Sequence, residues 1–376
     1  MQASLYPIFR NSDLSPLFTD QFAFRPTGST DSAIIAIMHH ITNLLSTSLY
    51  VRLIALDFSK AFDTVRHSTI LAKLTQLQVS DEYYNWFVNY FLGHSHVTKY
   101  NNHVSSSASI NCSVFQGSVV GTPLFVVNGV DLKPVNRENF IDKYADDTYL
   151  IVSFDHESSV GEEITAIEEW ASRNNLVLNK GKSAELIIYS SERIRASSPP
   201  IPPLPLIRRE QSLKILGVTF NENLSIKPHV SNVTQSAAQA LYALKTLKSH
   251  GLDSHTTREV CHATVISRLT YAAPAWWGFA AADDKQKLQA VVNRAIRWGN
   301  CDPSGPNLEQ ICSRREADLF AKVLSNPNHV LHALLPPLKS NPHNLRRRTH
   351  NRQLPEKGGA LHSKTFMQRM IYQNVY

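Results

Sequence analysis

Two adjacent carboxylates provide the clearest candidate chemistry in this sequence. Asp146 and Asp147 lie within Lys143-Tyr-Ala-Asp-Asp-Thr-Tyr-Leu-Ile-Val152, between short runs rich in aromatic and β-branched residues. Such flanks predict two strands, with the acids at the turn of a hairpin. Carboxylate oxygens suit hard divalent cations, and at a bend both side chains can reach one ion. The alternative is a solvated Asp-Asp turn, because Asp is common in turns.

A third carboxylate follows a predicted buried strand. The run Tyr50-Val-Arg-Leu-Ile-Ala-Leu56 is almost continuously apolar, as in a strand covered on both faces, and Asp57 comes directly after it. A strand-end carboxylate with a hairpin pair matches what two-metal phosphoryl transfer requires, since two cations roughly 3.5–4 Å apart bind the attacking and leaving oxygens. A purely structural role for Asp57 is the alternative.

Periodicity predicts the elements that would position these acids. Helices are predicted from Ser29 or Thr30 to about 45, around 70–77, at 81–92, in the segment ending at 131, and at 157–175, 228–249, 254–282 and 283–299. Strands are predicted at 50–57, at 100–114 around a Ser-rich turn at 105–107, on both sides of the acid pair, at 176–179 and 184–189, and at 212–220 as one strand with a central glycine. Residues 197–206 are Pro-rich and predict a surface loop, and the sequence beyond residue 299 has little pattern.

Composition narrows the class of protein. The 376 residues are 43% hydrophobic and 18% charged, which is typical of a globular chain. The net charge of +7 permits a polyanionic partner without requiring one. The four cysteines lack CxxC spacing, which argues against a zinc site or a disulfide framework. With no leader pattern at Met1 and no apolar stretch long enough to span a bilayer, we expect a soluble intracellular protein without a membrane partner.

Motifs in a fixed order give this chain a resemblance to the reverse transcriptases of non-LTR (LINE-type) retrotransposons. Leu56-Asp-Phe-Ser-Lys-Ala-Phe-Asp63 resembles the family's A motif, Gln116-Gly-Ser-Val-Val-Gly121 its B motif and Tyr144-Ala-Asp-Asp147 its C motif. Residues 21–30 are similar to its second sequence block, 178–183 to its D motif, 216–218 to its E motif and 271–276 to part of its thumb region.

The resemblance implies roles for the acids and their neighbours. Asp57, Asp146 and Asp147 would be catalytic and would bind two Mg²⁺ ions, with Mn²⁺ as a substitute, and the Phe58 carbonyl would add a ligand. Phe62 would be the steric gate that excludes a ribose 2′-hydroxyl, the group that separates RNA precursors from DNA precursors. A core phenylalanine is the alternative for Phe62.

Further residues would contact the substrate or move a proton. Gln116 and Gly117 would lie beside the incoming nucleotide, where glycine permits close backbone approach. Lys182 would protonate the leaving pyrophosphate, with Lys180 as its rival and a solvated turn lysine as the alternative. Arg25 would contact the triphosphate through its guanidinium, unless it forms a structural salt bridge.

The resemblance also implies a fold and a domain order. The expected fold class is α+β, a right-hand polymerase palm in which an antiparallel sheet packs against helices, with partial fingers and an all-helical thumb. Residues 1–50 would be partial fingers, 51–222 the palm with fingers-side helices at 71–108, 223–299 the thumb and 300–376 a basic C-terminal extension. The family's first fingers block is missing or reduced before residue 21, so we expect an element truncated at its N-terminus.

The expected partners are an RNA template, a DNA primer and dNTPs. The predicted activity is RNA-directed DNA synthesis by two-metal transfer of a nucleotide to a primer 3′-hydroxyl. The alternative function is a catalytically inactive palm and thumb that only binds RNA or an RNA–DNA duplex. A viral RNA-dependent RNA polymerase is disfavoured, because Phe62 stands where such an enzyme needs room for a 2′-hydroxyl. The basic segment 346–352 could bind template phosphates, act as a nuclear address or be a solvated tail.

Overall fold

The computed structural model describes residues 15–77, 79–114, 118–339, 350–356 and 359–373 of the chain. The strands are β1 (Tyr50–Leu56), β2 (Phe58–Ser59), β3 (Ser95–His96), β4 (Lys99–Tyr100), β5 (His103–Val104), β6 (Ala108–Ser109), β7 (Phe140–Tyr144), β8 (Asp147–Ser153), β9 (Val177–Leu178), β10 (Ala184–Tyr189), β11 (Arg208–Arg209), β12 (Ser212–Ile215) and β13 (Val218–Asn221). The chain combines many helices with strands that pair antiparallel, as β7 with β8 and β12 with β13, which confirms the predicted α+β class.

The α-helices are α1 (Thr30–Leu44), α2 (Ala61–Thr64), α3 (His67–Gln76), α4 (Asp81–Phe91), α5 (Gly121–Asn128), α6 (Val160–Arg173), α7 (Glu192–Ser197), α8 (Lys227–Ser249), α9 (Ser254–Cys261), α10 (Ser267–Leu269), α11 (Ala273–Trp276), α12 (Ala282–Arg297), α13 (Leu308–Ser325) and α14 (Phe366–Gln373). Five strands form the main sheet in the order β11-β10-β1-β8-β7, and smaller two-stranded pairs join β2 to β9, β3 to β6, β4 to β5 and β12 to β13. Across the described ranges, no helix is long and apolar enough to cross a membrane.

The chain forms two compact units, each built from separate segments. Unit 1 comprises the described residues up to Ser29, Leu53–Glu185 and Pro203–Arg208. Unit 2 comprises Thr30–Arg52, Leu186–Pro202 and the described residues from Arg209 onward. The predicted division into fingers, palm, thumb and extension stays a prediction.

Unit 1 is organised around an apolar core between its strands and helices. Side chains of β1 and β8 such as Ile54, Leu150 and Val152 are fully buried, as the continuous apolar run of β1 predicts. Helix α6 covers this core with Ile167 and Trp170, because its apolar residues recur at helical spacing. The hydrophobic contacts fix the positions at which β1 and β8 end or begin, and therefore the positions of the acids beside them.

Unit 2 is largely helical from Lys227 onward, as the sequence pattern predicts. Trp276 and Trp277 are fully buried, with ring centroids 5.7 Å apart, so these two side chains form part of its core. The indole N–H of Trp276 donates to the carbonyl of Tyr271 at 2.8 Å, which satisfies its buried donor.

The structure corrects four local predictions. Residues 212–220 form the hairpin β12–β13 and not one strand, because Leu216 and Gly217 both adopt positive φ angles and reverse the chain. The predicted helix 254–282 is interrupted by a π-helical segment at His262–Ile266 and by Ala272 in a left-handed conformation. The turn predicted at 105–107 is a link between β5 and β6, and β4 and β5 are joined at residues 101–102. Helix α13 was not predicted.

A close backbone contact at Gly28 leads to a stability prediction. A β-carbon at Gly28 would collide with the carbonyl oxygen of Phe22, and a backbone atom cannot turn aside as a flexible side chain can. We expect Gly28→Ala to lower the free energy of unfolding by about 1–3 kcal/mol, measured by urea denaturation. The control Gly161→Ala places its methyl group in open space near the start of α6 and should stabilise by up to about 1 kcal/mol. Equal effects of the two substitutions would contradict the prediction.

Candidate active site

The predicted acid hairpin is present and is formed by β7 and β8. The two strands pair antiparallel, and Tyr144 opposite Asp147 is the last pair before the turn. Ala145 and Asp146 make the turn, with Ala145 in the left-handed region at φ 57°. That conformation costs a non-glycine residue about 1–2 kcal/mol, so neighbouring contacts must maintain it. Both residues are exposed at the turn and are accessible to a ligand, while the carboxyl group of Asp147 is partly shielded from water by the atoms around it.

A segment from the start of unit 1 holds the hairpin in place. The N–H of Lys143 donates to the carbonyl of Asp20 at 2.7 Å, and the N–H of Phe22 donates to the carbonyl of Lys143 at 2.9 Å. Gln21 lies between them, and its side-chain oxygen accepts a hydrogen bond from the N–H of Ala145 at 3.2 Å. Asp20 and the first residues of the segment that resembles the second sequence block therefore support the turn that carries the acids.

Asp57 follows β1 and is held by the turn after β9. Its carbonyl accepts a hydrogen bond from the N–H of Asn179 at 2.8 Å, and its N–H donates to the hydroxyl of Ser183 at 3.1 Å. The Ser183 hydroxyl in turn donates to the carbonyl of Asn179 at 2.8 Å. These anchoring roles of Asn179 and Ser183 were not predicted. The sequence feature that could have indicated these roles is the pair of polar residues, Asn179 and Ser183, on either side of Lys180-Gly-Lys182 and between two apolar strands.

The strand order brings the acids from the two parts of the sequence to neighbouring strands, since Asp57 follows β1, Asp147 begins β8, and β1 and β8 are neighbours in the main sheet. The pKa of Asp147 is raised to about 6, first because burial disfavours its charged form and then because Asp146 and Asp57 are negatively charged. Asp57 lies 89 residues before Asp146 in the sequence, so the fold brings these charges together (146 − 57).

The chemistry of this donor set fits a divalent cation. A cation would relieve the repulsion that raises the pKa of Asp147, and its hard character matches carboxylate oxygens. In the part of the chain that the structure describes, no three His, Cys, Asp or Glu side chains are already arranged as a group that could hold a metal ion. Because like charges favour separated rotamers, ligation requires the carboxylates to turn toward one point.

The aromatic residues after Asp57 occupy the wall of the core. Phe58 is buried in β2 and pairs with Leu178 of β9. Phe62 lies in the short helix α2 and is partly buried, and its ring stacks on that of Phe125 with centroids 4.1 Å apart. Phe62, five residues after Asp57 in the sequence, therefore makes a contact with the core, and this contact is compatible with either of its predicted roles.

The basic candidates differ in their surroundings. Lys180 forms an ion pair with Glu168 at 2.8 Å, whereas Lys182 is exposed in the turn that holds Asp57. The guanidinium of Arg25 donates to the carbonyls of Phe18 and Gln21, and burial lowers its pKa. These contacts are structural and lie within the segment that supports the hairpin.

Two predicted nucleotide contacts cannot be placed. Gln116 and Gly117 lie outside the described residues, as do residues 346–349 of the basic segment.

The raised pKa of Asp147 predicts that this carboxylate destabilises the metal-free protein. Its pKa is about 6 in the folded chain against an ordinary value of 3.8, so the folded state binds more protons between these values and stability falls as pH rises. We expect Asp147→Asn to stabilise the protein above pH 6 by about 1 kcal/mol, since solvent screens a partly exposed charge. The gain should vanish below about pH 4, where both states are protonated.

Thermal unfolding in the presence of a chelator, at several pH values, measures this effect. Glu169→Gln removes an exposed carboxylate of helix α6 in the same unit and is the control. A gain for Asp147→Asn that does not depend on pH, or an equal gain for the control, would contradict the prediction.

Comparisons with known proteins place the chain in a family. Residues 1–220 match the family "Reverse transcriptase (RNA-dependent DNA polymerase)". The probable RNA-directed DNA polymerase from transposon BS of Drosophila melanogaster is 27% identical over 74% of this chain and 32% of its own length. The RNA-directed DNA polymerase from mobile element jockey of Drosophila funebris is 24% identical over 74% of this chain and 31% of its own length. The chain thus spans about a third of the length of these curated relatives.

Solved structures give a weaker likeness. Telomerase from Candida tropicalis, in complex with a fragment of telomeric RNA, superposes with a TM-score of 0.47 at 13% identity, covering 89% of this chain and 55% of that one. The telomerase without RNA gives a TM-score of 0.46 at 12% identity, covering 89% of this chain and 60% of that one. The match over residues 1–220, with the transposon relatives, confirms the resemblance seen in the motifs. The chain belongs to the reverse transcriptase family and resembles the LINE-type retrotransposon members of that family.

Proposed function

We propose that this chain is an RNA-directed DNA polymerase that transfers a nucleotide from a dNTP to a primer 3′-hydroxyl by two-metal catalysis. One observation carries the proposal: Asp57 follows β1 and Asp147 begins β8, and these two strands are neighbours in the main sheet. In agreement with this arrangement, burial and then the charges of Asp146 and Asp57 raise the pKa of Asp147. A carboxylate whose pKa is raised by burial and by specific charged neighbours is a candidate functional group. The proposal extends the activity of much longer relatives to this chain.

The acids would act as the ligand set of the site. Asp57, Asp146, Asp147 and the Phe58 carbonyl would hold two Mg²⁺ ions, or Mn²⁺, which lower the pKa of the attacking hydroxyl and neutralise the triphosphate. Asp147 must be deprotonated to ligate, and its pKa of about 6 leaves it ionised at neutral pH. Its position at the end of the hairpin turn leaves it open to solvent and to an incoming substrate.

Other residues would orient the substrates and move the proton. Phe62 would exclude the ribose 2′-hydroxyl, and the exposed Lys182 would donate a proton to the leaving pyrophosphate, in preference to Lys180, which is paired with Glu168. Arg25, Gln116 and Gly117 would contact the nucleotide. The partners would be an RNA template and a DNA primer, held by the predicted palm at residues 51–222 and the predicted thumb at residues 223–299.

Primer extension by the purified full chain tests this proposal. We expect dNTP incorporation on a homopolymer RNA template with an annealed DNA primer in Mg²⁺, and no incorporation after chelation. Duplex binding that weakens as salt rises, without incorporation in either Mg²⁺ or Mn²⁺, would overturn the proposal and support the inactive, duplex-binding alternative.

A further inference from the structure

The side chain of Gln21 links two parts of unit 1 that are far apart in sequence. Its amide oxygen accepts hydrogen bonds from two backbone N–H groups, those of Ala23 at 2.9 Å and Ala145 at 3.2 Å. Gln21 is only 3% exposed, so its oxygen is shielded from water; the bond to Ala23 is buried and the bond to Ala145 is half-buried. A buried N–H that loses its acceptor is strongly disfavoured, because it cannot recover a bond from solvent.

The hydrogen bond to Gln21 stabilises the backbone conformation of Ala145. Its φ of 57° lies in the left-handed region, which an alanine adopts only when its surroundings hold it. Asp146 and Asp147 follow directly, so the backbone direction at Ala145 decides where both carboxylates point. Release of the Ala145 N–H would let the turn relax and would move both acids together.

The acceptor itself is firmly held. Backbone bonds from Phe22 to Lys143 and from Lys143 to Asp20 fix the segment on both sides of Gln21. The buried ammonium of Lys143 donates to the carbonyl of Gly129 at 2.7 Å and pairs with Asp20 at 3.1 Å. Gln21 therefore offers its oxygen from a position that several independent contacts define.

We propose that Gln21 is a positioning residue for metal binding at the acid hairpin. It touches neither the ions nor the substrate, and it acts by holding Ala145 so that Asp146 and Asp147 can converge. The inference rests on the proposed two-metal function and names a residue on which the metal site depends. Groups that orient metal ligands typically contribute about 10–100-fold to metal affinity or activity.

Three substitutions separate positioning from simple stability. Gln21→Met keeps the size of the side chain and removes the acceptor. Gln21→Glu keeps an acceptor oxygen. Asn174→Leu is the matched control, because it removes another buried amide of unit 1, which donates to the carbonyl of Trp170 at 2.8 Å.

We expect Gln21→Met to extend primers about 10–100-fold more slowly and to need a correspondingly higher Mg²⁺ concentration for half-maximal rate. Asn174→Leu should leave the Mg²⁺ dependence unchanged. Gln21→Glu should restore part of the rate and most of the Mg²⁺ affinity, because it keeps the oxygen that accepts the Ala145 N–H bond. If Gln21→Met does not fold, Gln21→Glu carries the test, and a loss of Mg²⁺ affinity in it as large as that expected for Gln21→Met would overturn the proposal.

Two measurements do not depend on activity. Hydrogen exchange of the peptide spanning residues 140–150 should speed up in Gln21→Met and not in Asn174→Leu. Mn²⁺ binding, followed by electron paramagnetic resonance of the metal-free full chain, should weaken by about 10–100-fold in Gln21→Met alone. Wild-type exchange and Mn²⁺ affinity in Gln21→Met would overturn the positioning role. Wild-type protein that binds Mn²⁺ in this Gln21-dependent way but extends no primer would overturn the proposed function and leave the positioning role standing.

Discussion

Asp57→Asn and Asp146→Asn are each expected to lower the rate of primer extension by at least about 10³-fold, with little change in folding. Each substitution keeps the shape of the side chain and removes one negative charge from the site that Asp147 shares. A site that lacks one anionic ligand loses affinity for both cations. Because the ligands act together, the loss of one lowers the rate almost as much as the loss of all of them. Single-turnover extension on an RNA template, at saturating Mg²⁺ and dNTP, measures the loss of the chemical step.

Asp63→Asn is the matched control for this experiment. Asp63 is an exposed carboxylate only six residues after Asp57, so its substitution changes the net charge of the same segment without touching the acid site (63 − 57). Circular dichroism should give similar spectra for all variants. Extension by Asp57→Asn or Asp146→Asn within tenfold of wild type would remove that residue from the metal-binding role.

Phe62→Val is expected to raise the incorporation of ribonucleotides relative to deoxyribonucleotides by about 10–200-fold. Phe62 is proposed to exclude the 2′-hydroxyl sterically, and valine is smaller. One methylene in a binding pocket changes the free-energy difference between two substrates by about 1–3 kcal/mol, which corresponds to the expected factor. The ring of Phe62 stacks on Phe125 and is only partly buried, so valine leaves the core contact weakened but not lost. The measurement is the ratio of kcat/KM for rNTP and dNTP on one primer and template.

Phe87→Val controls for general loosening of unit 1. Phe87 is 1% exposed and packs in the same apolar core, so its truncation should destabilise the fold without changing sugar selection. Equal relaxation of selectivity by Phe87→Val and Phe62→Val, or none by Phe62→Val, would show that Phe62 is a core residue and not a gate.

Local patterns predicted the elements that carry the acids. The continuous apolar run before Asp57 predicted β1, and the apolar flanks of Asp146 and Asp147 predicted the hairpin of β7 and β8. Both predictions rest on hydrophobic burial, which produces a pattern of apolar residues that can be recognised within a short stretch of sequence. The helices α6 and α8 were predictable for the same reason.

Other elements depended on turn and cap chemistry that hydrophobic pattern does not report. Leu216-Gly217 reverses the chain between β12 and β13 inside a run that resembles one strand. Helix α13 follows a polar stretch, and only its capping box, formed by Asn307 and Gln310, indicated its start. Pro274 near the first residues of α11 was the signal that the long helix predicted over 254–282 ends before it.

The support of the candidate site was the least predictable part. Ser183 and Gln21 act through hydrogen bonds with the backbone of Asp57 and Ala145, which lie 126 and 124 residues away. Every residue except proline has the same backbone N–H group, so the pattern of residue types does not predict which side chain will accept its hydrogen bond. The three acids could be predicted as candidates from their residue type and sequence position. The residues that hold them in place could be identified only from the structure.

The alternation of segments between the two units affects how this chain must assemble during synthesis. Thr30–Arg52 belongs to unit 2, yet it leaves the ribosome before most of unit 1. The largest segment of unit 2, from Arg209 onward, begins 157 residues after Arg52 (209 − 52). Contacts between residues so distant in sequence close slowly, because the loop entropy is lost before the contacts are gained. Until those residues are made, helix α1 lacks the partners that it has within unit 2, and apolar surface left uncovered in this way favours aggregation.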